Sequence, residues 1–227
     1  MKIFIKGLGQ SLVIAMGYIP VAIAFGVTSV KMGLDPIEAI MASILVFAGA
    51  SQFMLVALWN TGTGIAMASL IMFLINLRHI FYGPSLFSKT KPEKRYLLPL
   101  ISFGITDEVY ATSLVKSNSI IEDERLSWTA GLETGAYLSW ISGTAIGAIL
   151  GDQILKNYPV IESTLSFALP ALFLSLFLSI YDSKNVAMLA ATAVPVIVLQ
   201  YLGFTSAAVI AGIVSGITSS ALFGKKD

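Results

Sequence analysis

The chain has 227 residues, of which 56% are hydrophobic and only 12% charged, and its mean hydropathy is +0.83. Soluble domains carry about 25% charged residues, so this balance indicates an integral membrane protein. A net charge of +1 argues against nucleic acid as a partner, the lack of cysteine excludes disulfides, thiolate metal sites and cysteine nucleophiles, and one histidine is too few for a His-cluster metal centre.

Apolar segments near the ~20 residues that a spanning helix needs fill most of the sequence. They predict an all-α, polytopic membrane helix bundle of about seven or eight segments, at 8–30, 37–59, 63–81, 97–115, 127–150, 163–181, 186–203 and 205–223. In the first, Lys2, Lys6 and Ala22-Ile23-Ala24 imitate a cleavable signal peptide. The apolar run continues to Val30 and further segments follow, so it reads as a retained span. Gly17-Tyr18-Ile19-Pro20 marks an expected helix break, with an ordinary Pro kink as the alternative. The second segment carries Phe47-Ala48-Gly49-Ala50-Ser51-Gln52-Phe53. Its small residues allow close backbone approach, and Gln52 offers donors and an acceptor, for an interhelical hydrogen bond or a ligand.

The third segment ends in Asn76-Leu77-Arg78-His79-Ile80-Phe81-Tyr82-Gly83. Arg78 is placed either to snorkel to the interface or to meet an anion. His79, the one histidine, is a packing residue or a proton handler. The fourth segment holds Asp107 and Glu108 side by side. At a helix centre each charge costs roughly 2.5–3.5 kcal/mol, so the pair marks a functional site by default. On a regular helix adjacent side chains point about 100° apart, so the two acids take different tasks unless the helix breaks. Gly104 and Thr106 favour such a break, and an ion pair with Arg78 is the structural alternative. Glu133, early in the fifth segment, is a weaker candidate.

Small residues recur every four positions at Gly131, Gly135, Ser139, Gly143, Gly147 and Gly151, and at Ala208, Gly212, Gly216, Ser220 and Gly224. This is the small-xxx-small pattern of close helix packing, either internal or against another subunit. Each step of four drifts about 40°, so a straight helix keeps about three steps on one face.

The longest polar stretches, 88–95 and 116–125, leave no room for a soluble domain, and no nucleotide-binding motif is present. The expectation is one transporter domain over 1–227. If every segment spans once, Lys and Arg divide seven and seven between the two sides, against the usual positive-inside bias. Making the first and fifth segments re-entrant leaves only Lys116, Arg125 and Lys156 outside. A faint likeness between 47–55 and 167–175, and between 26–35 and 143–152, points the same way. The expectation is therefore an inverted repeat with broken or re-entrant helices, repeat 1 over about 8–87 and repeat 2 over about 127–223.

The Phe47–Phe53 run, Asn76-Leu77-Arg78-His79 with Tyr82-Gly83, and Thr106-Asp107-Glu108 with Tyr110 together resemble the AzlC family, large subunits of bacterial branched-chain amino acid exporters. The resemblance covers nearly the whole chain in length and segment order. It implies export of valine, leucine, isoleucine and sometimes methionine across the inner (plasma) membrane. It also implies a small membrane subunit of the AzlD type as partner, and it brings no established set of binding residues.

The physical reading supplies one. A zwitterionic apolar amino acid needs an anion for its ammonium, donors for its carboxylate and an apolar pocket. Asp107 or Glu108 is expected to meet the ammonium while the other acid carries a coupling proton, since a carboxyl taken out of water favours its neutral form. Arg78, or broken-helix backbone near Gly17, Pro20 and Gly49, is expected to meet the carboxylate. Gln52, Asn76 and Tyr110 are expected to orient the ligand, and Phe47 and Phe53, with Gly49, Gly17 and Pro20, to line the pocket. No cofactor is expected. The rival readings are a passive small-solute channel and a non-transporting assembly subunit. An intramembrane enzyme built on Ser51 and His79 is set aside, because neither a nucleophile motif nor a third orienting group surrounds them.

Overall fold

The computed structural model describes residues 2–77, 79–87, 98–116, 119–157 and 186–223, with Phe167 and Leu174 as single helical positions. Among them every regular element is a helix. In chain order these are α1 (Lys2–Gln10), α2 (Leu12–Lys31), α3 (Pro36–Leu45), α4 (Gly49–Asn60), α5 (Ile65–Asn76), α6 (His79–Phe87), α7 (Leu98–Phe103), α8 (Asp107–Lys116), α9 (Glu122–Asn157), α10 (Val186–Tyr201) and α11 (Thr205–Phe223). Their contacts group the chain into one unit of Met1–Gly62 with Asn76–Leu172 and a second of Thr63–Ile75 with Phe173–Asp227. The expected sixth segment, and with it the 167–175 half of the sequence likeness, lies outside the described residues apart from Phe167 and Leu174.

In the first unit α1 and α2 lie along α9. The small-residue series is the seam. A Cβ on Gly131 would stand 2.1 Å from the Phe4 carbonyl oxygen, one on Gly147 2.1 Å from that of Ile23, and one on Gly26 of α2 2.3 Å from that of Thr144. Backbones approach so closely because no side chain intervenes. The drift of the series is absorbed by dividing it. Gly131 and Gly135 face α1, whereas Gly143, Gly147 and Gly151 face α2, and the two partner helices are separated at Ser11.

Three sequence expectations are corrected here. First, the break of segment one lies at Ser11, and α2 runs on through Gly17 and Pro20. Gly135 receives the Ser11 side chain, whose hydroxyl donates to the Leu8 carbonyl (2.7 Å). Second, α2 and α9 are continuous over 20 and 36 residues, about 30 and 54 Å, without the internal break expected of a re-entrant segment. Third, contacts advance in the same direction along both chains, from Phe4 and Gly131 to Val27 and Gly151, so the two helices run parallel. Inverted counterparts would run antiparallel.

The discontinuous segments are instead the second and the fourth. Asp35 caps α3, its carboxylate accepting the Ile37 N–H (2.9 Å) while Glu38 accepts the Asp35 N–H (2.8 Å). Helix α3 stops at Leu45 and α4 starts at Gly49. Helix α7 stops at Phe103 and α8 starts at Asp107. At 10, 12, 6 and 10 residues, these halves fall short of a span singly.

In the second unit α10 and α11 pack together across a turn at Gly203, whose φ of +83° suits glycine. Gly212 faces Val196 and Gly216 faces Thr192, so the second small-residue series also packs internally over its described part. Thr192 Oγ1 lies 3.1 Å from Ser219 Oγ. Among the described residues two stretches are long and apolar enough to cross a membrane by themselves, Leu12–Lys31 and Ile65–Phe87.

Candidate functional site at two helix breaks

A broken helix at membrane depth needs its freed backbone groups satisfied by protein or water. The first break, at residues 46–48, is held largely from α9. Tyr137 donates its hydroxyl to the Ile44 carbonyl (2.7 Å), the Ala48 N–H donates to Val46 (2.9 Å), and the Ser51 hydroxyl donates to the Ala48 carbonyl (2.8 Å). Gly49 is required because the Trp140 ring lies where its Cβ would be, 2.7 Å away. The N–H groups of Gly49, Ala50 and Ser51 find no acceptor among the described residues, which leaves a half-helix N-terminus with donors to spare.

The second break, at residues 104–106, ends where Thr106 caps α8. Its Oγ1 receives the Val109 N–H (3.4 Å) and its carbonyl the Tyr110 N–H (2.8 Å). Asp107 and Glu108 are therefore in the first turn of a half-helix, not at a helix centre. There the helix dipole favours negative charge by typically 0.3–1 kcal/mol and up to ~2 kcal/mol when partly buried. The position offsets part of the cost expected from the sequence.

The two acids diverge as their spacing requires. Glu108 turns to α2, where the Tyr18 hydroxyl is 2.5 Å from its Oε2 and 2.6 Å from Thr106 Oγ1. A phenol has one proton, so one of these two contacts is donated to it. Asp107 turns to α6 and accepts the Tyr82 hydroxyl. The Tyr82 ring stacks on Tyr110 at 4.4 Å and on His79 at 5.3 Å, and the Tyr110 hydroxyl lies 2.9 Å from Ser85 Oγ.

Tyr18 and Tyr137 join the two breaks. Tyr18 packs edge-on to Phe47 of the first break (6.3 Å) and to Trp140 (5.3 Å) while its hydroxyl serves the second. Tyr137 meets Phe47 at 5.1 Å and Phe103, the last residue before the second break, at 6.2 Å.

The structure thus gathers Asp107, Glu108, Tyr110, His79, Phe47 and Gly49 around this pair of breaks. Other expected residues have different places. Gln52 is fully buried and committed to packing. Its Oε1 accepts the Trp140 indole N–H (2.9 Å) and its Nε2 donates to Ser43 (3.0 Å), which in turn meets Thr144 (2.8 Å). These bonds tie α4 to α3 and α9. Asn76 donates to Ser51 Oγ (3.1 Å), whose own proton goes to the Ala48 carbonyl (2.8 Å). Phe53 packs on Phe25 (5.3 Å). Gly17 and Pro20 sit on the exposed side of α2. Arg78, with its expected ion pair, lies outside the described residues.

Sequence reasoning missed Tyr18, Tyr82, Thr106 and Tyr137 as site residues. A buried phenol needs a hydrogen-bond partner, so Tyr18 amid an apolar span was the available signal.

The family model for the AzlC protein matches residues 13–154. An inner membrane protein of Escherichia coli, YgaZ, is 36% identical over 217 residues, covering 94% of this chain and 87% of its own length. An uncharacterized membrane protein of Archaeoglobus fulgidus is 39% identical, covering 94% of this chain and 92% of itself. The branched-chain amino acid transport protein AzlC of Bacillus subtilis is 28% identical over 163 residues, 71% of this chain and 61% of its own length. No solved structure matches. With relatives named membrane and inner membrane proteins, this multi-pass chain belongs in the inner membrane. The chain is a member of the AzlC family.

Proposed function

We propose that this chain is a secondary transporter that exports branched-chain, and other apolar, amino acids across the bacterial inner membrane in exchange for protons. On this reading it works with a small membrane subunit of the AzlD type. The observation that carries the reading is the pairing of the two breaks through Tyr18 and Tyr137. An acidic half-helix start then stands with a half-helix N-terminus whose N–H groups have no acceptor among the described residues. That combination suits a zwitterion. Glu108, on the Tyr18 side, meets the ammonium. The N–H groups of Gly49, Ala50 and Ser51 meet the carboxylate, helped by the positive end of the helix dipole. Phe47, Phe103 and the Trp140 ring offer apolar surface to a branched side chain. Asp107, turned away to Tyr82, is the acid left to carry a proton. The transport protein of B. subtilis supports the substrate class.

The test is valine export from a strain lacking its own exporters, with Asp107→Asn and Glu108→Gln at equal membrane abundance. Loss of export in the Glu108 variant is expected. Full export by both variants removes the acids from the mechanism. Saturable counterflow in liposomes separates a carrier from a channel, and activity of the purified chain alone separates it from an assembly subunit.

A further inference from the structure

Behind the second break lies a carboxyl that the mechanism above does not use. Glu133 of α9 is 7% exposed. Its side chain fills the space left by the missing Cβ of Gly104, with Oε2 2.8 Å, Cδ 2.9 Å and Cβ 3.0 Å from where that Cβ would stand. Its Oε1 is buried without a hydrogen-bond partner among the described residues. The helices packed on α9 bring titratable groups of both signs: Lys2 and Lys6 of α1, Tyr18 and Lys31 of α2, Glu38 of α3 with its cap Asp35, and Asp107, Glu108, Tyr110 and Lys116 of α8. Helix α7 brings none. None of these groups makes an ion pair or a hydrogen bond with Glu133. An ionised carboxylate stripped of water, donors and counter-charge is costly enough that such a group neutralises instead.

We propose that Glu133 is a second proton-binding site of this protein, holding a proton while the α7–α8 break is packed against it and releasing that proton to water when the break opens. The chemistry is one O–H bond exchanged between the carboxyl and water, with no other reactant. Gly104 is the coupling element. Its missing Cβ lets the carboxyl seat in the break that sets the position of Asp107 and Glu108, so moving α7 against α8 uncovers the acid. The role within a transport cycle rests on the function proposed above, whereas the proton site itself does not.

Two measurements on the full-length purified protein separate them. Infrared difference spectra at pH 7, in H2O and D2O, report un-ionised carboxyl C=O bands. The wild type is expected to show a deuterium-sensitive band that Glu133→Gln lacks, and identical bands in the two proteins overturn the proposal. In proteoliposomes, Glu133→Gln is expected to keep valine counterflow, because exchange needs no net proton movement. Its accumulation driven by a pH gradient should fall by about tenfold per pH unit imposed, the worth of one proton. Undiminished gradient-driven accumulation overturns the proposal, and so does equal loss of counterflow, which marks a structural role only. If Glu133→Gln does not reach the membrane, Glu133→Asp keeps an ionisable group set one methylene back from Gly104. The infrared band must then titrate at a different pH from the wild type, and an unchanged titration refutes the assignment. A wild type that shows the band but no amino acid counterflow leaves the proton site standing and removes the transport reading instead.

Discussion

Replacing Tyr18 with Phe takes away one oxygen and leaves the edge-on ring contacts to Phe47 and Trp140 in place. The lost group is a hydroxyl 2.5 Å from the Glu108 carboxylate. A hydrogen bond to a charged group is worth about 1.5–3 kcal/mol, or roughly 10- to 150-fold in an equilibrium constant. If Tyr18 acts by aiming Glu108 at the substrate ammonium, Tyr18→Phe weakens valine binding by up to that factor. Glu108→Gln removes the ion pair itself. At 4 Å and an effective dielectric of 20 this is about 4 kcal/mol, near a thousandfold. The decisive quantity is the double variant. An effect of Tyr18 that passes through Glu108 vanishes once the acid is gone, so the double variant should bind valine as Glu108→Gln does. Equilibrium binding of labelled valine to the four purified proteins measures the cycle. Independent effects that add within about 0.5 kcal/mol refute the reasoning, because groups that act as one unit do not add.

Other perturbations separate packing from function. Gln52→Leu leaves the buried Trp140 indole N–H without its acceptor. It should destabilise the protein by about 1–3 kcal/mol in detergent unfolding titrations while valine affinity in the folded fraction stays unchanged. Gly147→Ala puts a Cβ 2.1 Å from the Ile23 carbonyl, so overpacking should cost about 1–3 kcal/mol. Gly17→Ala, in open space on α2, should stabilise by about 0.5–1 kcal/mol, and equal melting shifts for the two variants would contradict the described packing. Tyr82→Phe keeps the ring stack with Tyr110 and His79 but removes the bond to Asp107. Proton-driven valine accumulation should drop while valine affinity moves by no more than about 0.5 kcal/mol, and a larger loss of affinity would place Asp107 at the substrate.

The helices were legible wherever an apolar run alone defines them. The eighth segment, expected at 205–223, is Thr205–Phe223 in the structure. The break before Asp107 was legible because Gly104 and Thr106 announce it. The break at residues 46–48 was expected beside Gly49, although residues 46–48 themselves include neither proline nor a polar residue. It exists because Tyr137 takes the Ile44 carbonyl and Trp140 needs the space at Gly49, both contacts from a helix some 90 residues away. Pro20 misled in the other direction. Proline removes one donor from α2 but does not end it, and the interruption falls at Ser11, where packing against Gly135 decides. Charge counting says nothing of how helices pack, since a bias in Lys and Arg is a tendency of loops, whereas the glycine seam fixes the direction of α2 along α9.

Composition by itself determined that this chain lives in a membrane, because so little charge cannot cover a soluble surface. The spacing of its small residues determined that helices approach to backbone contact. The adjacency of Asp107 and Glu108 determined that they cannot share a task, since neighbours on a helix diverge by about 100°. Only the tertiary structure decided what those tasks have for partners. Tyr18 and Tyr82 reach the acids across 90 and 25 residues of sequence, and Glu133 comes to rest behind Gly104 because one helix lacks a Cβ where another needs room. Pattern and period along the chain cannot encode such meetings, because they arise from how whole helices pack.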